Sequence, residues 1–133
     1  MQYLLDTNVC IDVLRKREPA LSRIRTVPRH ACAISTVTTY ELLTGAKRSK
    51  DPIGETAKIR QFVLNVHELA FDPFAADRAA EVRADLERQG LVIGPYDLLL
   101  AGHALSRRLI LVTDNTREFS RVSGLIIENW RAA

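Results

Sequence analysis

The chain has 133 residues, 47% of them hydrophobic and 26% charged, with a formal net charge of +3. That length carries one domain (residues 1–133) with a real core, and the composition is that of a soluble globular protein. No apolar run is long enough to span a membrane and no secretory signal opens the chain, so we expect a cytoplasmic protein whose mildly basic charge tolerates a polyanionic partner.

Gln2 to Leu5 reads as a short buried strand, and Val9 to Lys16 as a helix carrying Val9, Ile11, Val13 and Leu14. Pro19 opens another short helix through Leu21, Ile24 and Val27, which Pro28-Arg29-His30 breaks. Ala31 to Ile34 forms a second strand ending at Ser35, and Ser35 or Thr36 caps a helix running to about Arg48. Beyond the polar loop Ser49 to Pro52, Ile53 to about Asn65 is helical and Val66 to Ala70 offers a third strand. Asp72-Pro73 starts the next helix, because Asp caps and Pro fits the first helical position; Gly90 ends it. Gly94-Pro95 opens a helix through Leu98, Leu100 and Leu105, and Leu109 to Val112 and Leu125 to Ile127 are the last strands. Short apolar strands alternating with helices predict a parallel sheet covered on both faces, an α/β/α sandwich. Cys10 and Cys32 stand alone in apolar segments and read as buried free thiols.

Four regions place acids at element boundaries or within apolar faces, and each has an ordinary structural explanation. Asp6, where the first strand stops, reads equally as a helix N-cap worth about 1 kcal/mol. Glu41, inside Thr39-Tyr40-Glu41-Leu42-Leu43, is either a solvated helix residue or a crevice-facing carboxylate. Asp97, in the turn after Gly94-Pro95, complements a helix dipole without any function. Thr113-Asp114-Asn115 reads first as a turn. In a doubly wound sheet, however, the strand before that turn lies beside the first, and ligand crevices form at those carboxyl ends. One pocket would explain all four regions. Carboxylates gathered there repel one another unless protonated or bridged by a cation. Hard oxygen ligands without a His or Cys cluster suit Mg²⁺ or Mn²⁺ and phosphoryl chemistry.

Leu4-Leu5-Asp6-Thr7-Asn8, Ser35-Thr36 with Tyr40-Glu41-Leu42-Leu43-Thr44-Gly45-Ala46, Gly94-Pro95-Tyr96-Asp97 with Ala101-Gly102-His103-Ala104, and Leu111 to Phe119 continuing to Glu128-Asn129-Trp130 come in order across nearly the whole chain. This ordered set resembles PIN-domain ribonucleases, and specifically the VapC-like toxins of bacterial type II toxin–antitoxin modules. The resemblance implies a short five-stranded parallel sheet and Mg²⁺-dependent, endonucleolytic hydrolysis of RNA, with Mn²⁺ able to substitute. It also implies that Asp6, Glu41 and Asp97 match the family's three main acids. The family pattern of Thr, any residue, then Asp or Asn makes Asn115 the fourth match and leaves Asp114 one place early. Asp114 and Glu118 then serve as supporting groups or ligands of a second metal.

On this reading Asp6 and Asp97 bind the metal directly and Glu41 binds it directly or through water. Asn8, Thr113 and Asn115 hold carboxylates or bound waters in position, and in-line attack leaves a 5′-phosphate and a 3′-hydroxyl. The resemblance further implies a small VapB-like antitoxin that silences the pocket, a structured RNA such as tRNA as substrate, and a homodimer. Ile11, Leu14, Leu21 and Ile24 could give the dimer an apolar surface, although core burial explains them equally.

His103 reads as a packed or surface helix residue, and His30 and His67 lie near strand starts, so no histidine is assigned to catalysis. Cations such as Lys47, Arg48 and Arg117 are spread along the chain, and some would form a rim for RNA phosphates. A dinucleotide site is excluded, because no glycine-rich turn follows the first strand. An aspartyl-phosphate phosphatase would carry an acid where Asn8 stands, and ranks low. A catalytically inactive PIN-like module that binds RNA or protein is the main alternative.

Overall fold

The computed structural model describes residues 1–131. Its strands are β1 (Tyr3–Leu5), β2 (Cys32–Ser35), β3 (His67–Leu69), β4 (Ile110–Val112) and β5 (Ile127–Glu128). They form one parallel sheet in the order β3-β2-β1-β4-β5. The helices are α1 (Thr7–Leu14), α2 (Ala20–Thr26), α3 (Thr36–Lys47), α4 (Pro52–Leu64), α5 (Pro73–Arg88), α6 (Pro95–Arg107) and α7 (Thr116–Phe119), with a 3-10 turn at Arg29–Ala31.

Side chains alternate across a strand, and this divides the core in two. Leu4, Ala33 and Leu111 join one cluster with Val82 and Leu86 of α5, Leu100 and Ala104 of α6, and Phe119 of α7. Leu5, Ile34 and Val112 join the other with Val9 of α1, Leu42 of α3, Ile59 of α4, and Trp130. The result is the expected three-layer sandwich. Among the described residues, no helix is long and apolar enough to cross a membrane.

The chain steps outward from β1 to β3 and returns to β4 on the other side of β1. That reversal opens a crevice at the carboxyl ends of β1 and β4. The height of α6 over the crevice depends on Gly102. A Cβ there would stand 2.4 Å from the Cα and N of Ala79, so any larger residue would push α6 off α5.

Several elements differ from the sequence expectation at their ends. Helix α1 begins at Thr7 rather than Val9, because Asp6 caps it, and it stops at Leu14 before the left-handed Lys16. Helix α4 takes in Pro52, with Asp51 Oδ1 accepting from Gly54 N–H at 3.1 Å. Ala31 closes the 3-10 turn and does not start β2. The last strand falls on Ile127–Glu128, two residues beyond the expected start, because the β4 ladder pairs Leu111 with Ile127 and Val112 with Glu128.

Candidate active site

Asp6 still belongs to the sheet through its backbone, whose N–H donates to the Val112 carbonyl at 2.9 Å. Extended backbone at Asp6 (φ −70°, ψ 159°) then turns directly into α1. Its side chain is buried and both carboxylate oxygens accept: Oδ1 from the Thr7 N–H at 2.6 Å and Oδ2 from the Thr113 hydroxyl at 2.7 Å. The cap reading and the crevice reading of Asp6 are therefore one geometry. Burial pushes its pKa up, the Thr113 and Thr7 hydrogen bonds oppose this, and the charges of Glu41 and Asp114 reinforce it.

Glu41, half-buried on α3, accepts from the Thr7 hydroxyl through Oε1 at 2.8 Å. Thr7 thus holds two acids, one through its backbone and one through its side chain. Asn8, expected to hold a carboxylate or a bound water, is exposed, and the carboxylate contact falls to its neighbour Thr7.

Asp97 sits half-buried in the first turn of α6. The Asn115 side-chain amide lies between two carboxylates, donating to Asp97 Oδ2 at 3.2 Å and to Glu118 Oε2 at 3.0 Å. The Asn115 backbone N–H donates to the Thr113 hydroxyl at 3.1 Å, so a relay runs from Asn115 through Thr113 to Asp6. Burial, then the charges of Asp6 and Glu118, push the Asp97 pKa up to about 6; Asn115 opposes this and Glu41 adds to it.

Asp6, Glu41, Asp97, Thr113, Asn115 and Glu118 thus line one crevice, brought there by β1, α3, α6 and the segment after β4. Among the described residues, no three Asp, Glu, His or Cys side chains converge closely enough to cage a cation. The donors are nonetheless all hard oxygen, and their mutual repulsion adds to burial in raising the Asp97 pKa. A divalent cation relieves that repulsion, so the residues fit Mg²⁺ or Mn²⁺ in chemistry.

Asp114 faces another way. Its Oδ2 accepts from Arg131 Nη1 at 2.6 Å, while the same guanidinium forks onto buried Asp12 through Nε (2.6 Å) and Nη2 (3.0 Å). Neither Asp12 nor Arg131 was singled out from the sequence. The one available signal was an acid between Ile11 and Val13 on a helix that buries its apolar face. Hydrogen bonding from Arg131 holds Asp12 below the usual carboxylate range. Replacing Arg131 with Met should cost about 2 kcal/mol, because Asp12 stays buried with only the looser Arg17, at 3.8 Å, to balance it. A depressed pKa stabilises above the unfolded value near 4 and loses that effect as pH falls through the folded value. Urea titrations should therefore show the largest gap between wild type and Arg131→Met at pH 7, and a narrowing gap below about pH 4.

The histidines stay out of the crevice. His103 is buried edge-on to Phe71 at 5.5 Å between ring centroids, with its pKa lowered by burial, while His30 and His67 are exposed. Cys10 and Cys32 are buried free thiols with raised pKa values.

Residues 3–125 match the family model described as PIN domain. The tRNA(fMet)-specific endonuclease VapC of Shigella flexneri is 42% identical over 130 residues, covering 98% of each chain. The protein of the same name from Salmonella typhimurium is 37% identical over 130 residues, again 98% of each chain. In structure, the chain is similar to one in VapBC2 from Rickettsia felis bound to a promoter DNA fragment, with TM-score 0.90, 32% identity, and coverage of 98% of this chain and 99% of that one. It is equally similar to a chain of DNA-bound VapBC from Salmonella typhimurium, with TM-score 0.90, 40% identity and 98% of each chain covered.

Proposed function

The chain belongs to the PIN-domain family, among its VapC ribonucleases, and from that membership we propose that it is the RNA-cutting toxin of a toxin–antitoxin pair. The observation that best supports this reading is the crevice itself. Asp6, Glu41 and Asp97, from three separate elements, face one another at the sheet's switch point, tied by Thr7, Thr113 and Asn115.

A divalent cation, Mg²⁺ with Mn²⁺ as substitute, held by Asp6, Asp97 and Glu41, would polarise the scissile phosphate and acidify a water. The chain's own residues do the positioning. Asp6 is fixed at both oxygens, so it cannot swing out of the crevice. Thr7 occupies one oxygen of Glu41 and leaves Oε2 to orient the attacking water. Asn115 keeps Asp97 and Glu118 from collapsing apart by giving each a donor. In-line attack in this setting breaks the bond to the 3′ oxygen and leaves a 5′-phosphate and a 3′-hydroxyl.

Full-length similarity to endonucleases named for tRNA(fMet) supports tRNA as the substrate class. Similarity to chains in VapBC complexes supports a VapB-like antitoxin as partner. For a homodimer, Ile11, Leu14, Leu21 and Ile24 remain half-buried on α1 and α2 and available to a second copy.

The test is to incubate purified chain, freed of any partner, with total RNA and Mg²⁺ and to sequence the product ends. Cleavage at few sites, with 5′ ends that ligate without prior phosphorylation, is expected. Products ending in 2′,3′-cyclic phosphate would sink the mechanism. RNA binding without cutting in every cation tried would make the chain a binding scaffold.

A further inference from the structure

We propose that Tyr40 and Tyr96 form a stacking step at the mouth of the crevice that takes an unpaired nucleobase of the RNA. The proposal rests on the ribonuclease reading and names the part of the substrate the site grips. Each tyrosine immediately precedes a crevice acid, Tyr40 before Glu41 on α3 and Tyr96 before Asp97 on α6. The two rings meet across the helices, with centroids 5.8 Å apart, planes at 53° and hydroxyl oxygens 3.3 Å apart. Even so, Tyr40 is 53% exposed and Tyr96 41% exposed. Helix packing has brought the rings together without burying either residue.

The tilt decides how a base can bind. Rings at 53° cannot sandwich a flat base between them, so the base lies on one outer face. Tyr40, the more exposed, is the platform; Tyr96 braces it through the hydroxyl contact. Electrostatics gives the platform its purpose. The crevice is lined with carboxylates that repel phosphate, so the RNA needs an uncharged hold close to the acids. An aromatic face attracts any base without opposition from those charges. Arg48, exposed at the end of α3 and acting on the Tyr96 hydroxyl against the influence of Tyr40 and Glu41, stands ready for a phosphate. Only an unstacked base can bind this way, so the preferred RNA presents a loop or single strand and not continuous duplex.

The test uses an RNA hairpin with 2-aminopurine in its loop, and chain carrying Asp6→Asn so that binding is read without cutting. Stacking quenches the probe. Adding Tyr40→Ala should weaken binding by about 5- to 150-fold and abolish the quench, and Tyr40→Phe in its place, which keeps the ring and loses only the hydroxyl brace, should restore the quench and most of the affinity. Tyr96→Ala should give a smaller loss. With Asp6 intact, Tyr40→Ala should raise KM while kcat stays near wild type. If wild type cuts the hairpin but Tyr40→Ala binds and quenches as before, the stacking step is wrong and the nuclease stands. If the alanine variant loses affinity only for the antitoxin, the tyrosines belong to that protein contact and the proposal is overturned. If wild type cuts no RNA and Asp6→Asn binds none, the ribonuclease reading itself has failed and takes the proposal with it.

Discussion

Asp6→Asn is expected to lower kcat/KM on RNA by a factor on the order of 10³ or more, while the folding free energy moves by no more than about 1 kcal/mol. The two effects separate because the substitution removes charge and keeps shape. An amide oxygen can still accept from the Thr7 N–H, and the amide nitrogen can donate to the Thr113 hydroxyl, which has a second lone pair beyond the one facing Asn115. Folding even gains, since burial penalises the Asp6 charge and Glu41 opposes it. Catalysis would lose the anionic oxygen that the proposed cation needs. Steady-state cleavage of an RNA hairpin and urea midpoints read the two quantities separately. Cleavage retained at the wild-type rate would remove Asp6 from the mechanism.

Withdrawal of divalent cation should have an effect as large. In EDTA, cleavage should fall to background and return with Mg²⁺ or Mn²⁺, while the fold persists. The cation-free protein should also show a pH signature. Asp97 titrates near 6 in the fold and near 4 when unfolded. Between those values the folded state binds more protons, so the pocket's contribution to stability falls as pH rises; it is fully favourable below about 4 and lost above 6. Asp6 shifts the same way. Melting temperature in EDTA should therefore be higher at pH 5 than at pH 7, and Mg²⁺ should raise it more at pH 7. Asp97→Asn should flatten that dependence. An equal response to Mg²⁺ at both pH values in the unaltered chain would rule out repulsion between these carboxylates as the reason for a cation.

Much of this site was legible because topology and local pattern agreed. A doubly wound sheet was expected to set the late apolar strand leading to Thr113 beside the one that ends in Asp6, and the two do pair. Asp97 was readable from Gly94-Pro95, which fixes where α6 begins. What escaped depends on contacts between distant segments. Nothing local singled out Thr7, whose grip on Glu41 spans 34 positions and exists only once α3 has docked. Arg131 and Asp12 are 119 positions apart, and no local pattern links them. Asp114 and Asn115 are adjacent in a turn, yet one faces Arg131 and the other Asp97. The run Leu125-Ile126-Ile127 has no alternation, so only its pairing with β4 sets where β5 falls. Helix α7, four residues long, is too short to show a period.

The bond from Thr113 to Asp6 closes across 107 positions, and it has a consequence for the order in which the chain is made. A growing polypeptide emerges with Asp6, Glu41 and Asp97 already present, but β1 lacks its neighbour β4 and the Asn115 amide has not been added. Until those late residues leave the ribosome the three acids have no common wall to face across. The acids can therefore be brought together only once Thr113 and Asn115 have been added and β4 has docked beside β1, however early Asp6 is made.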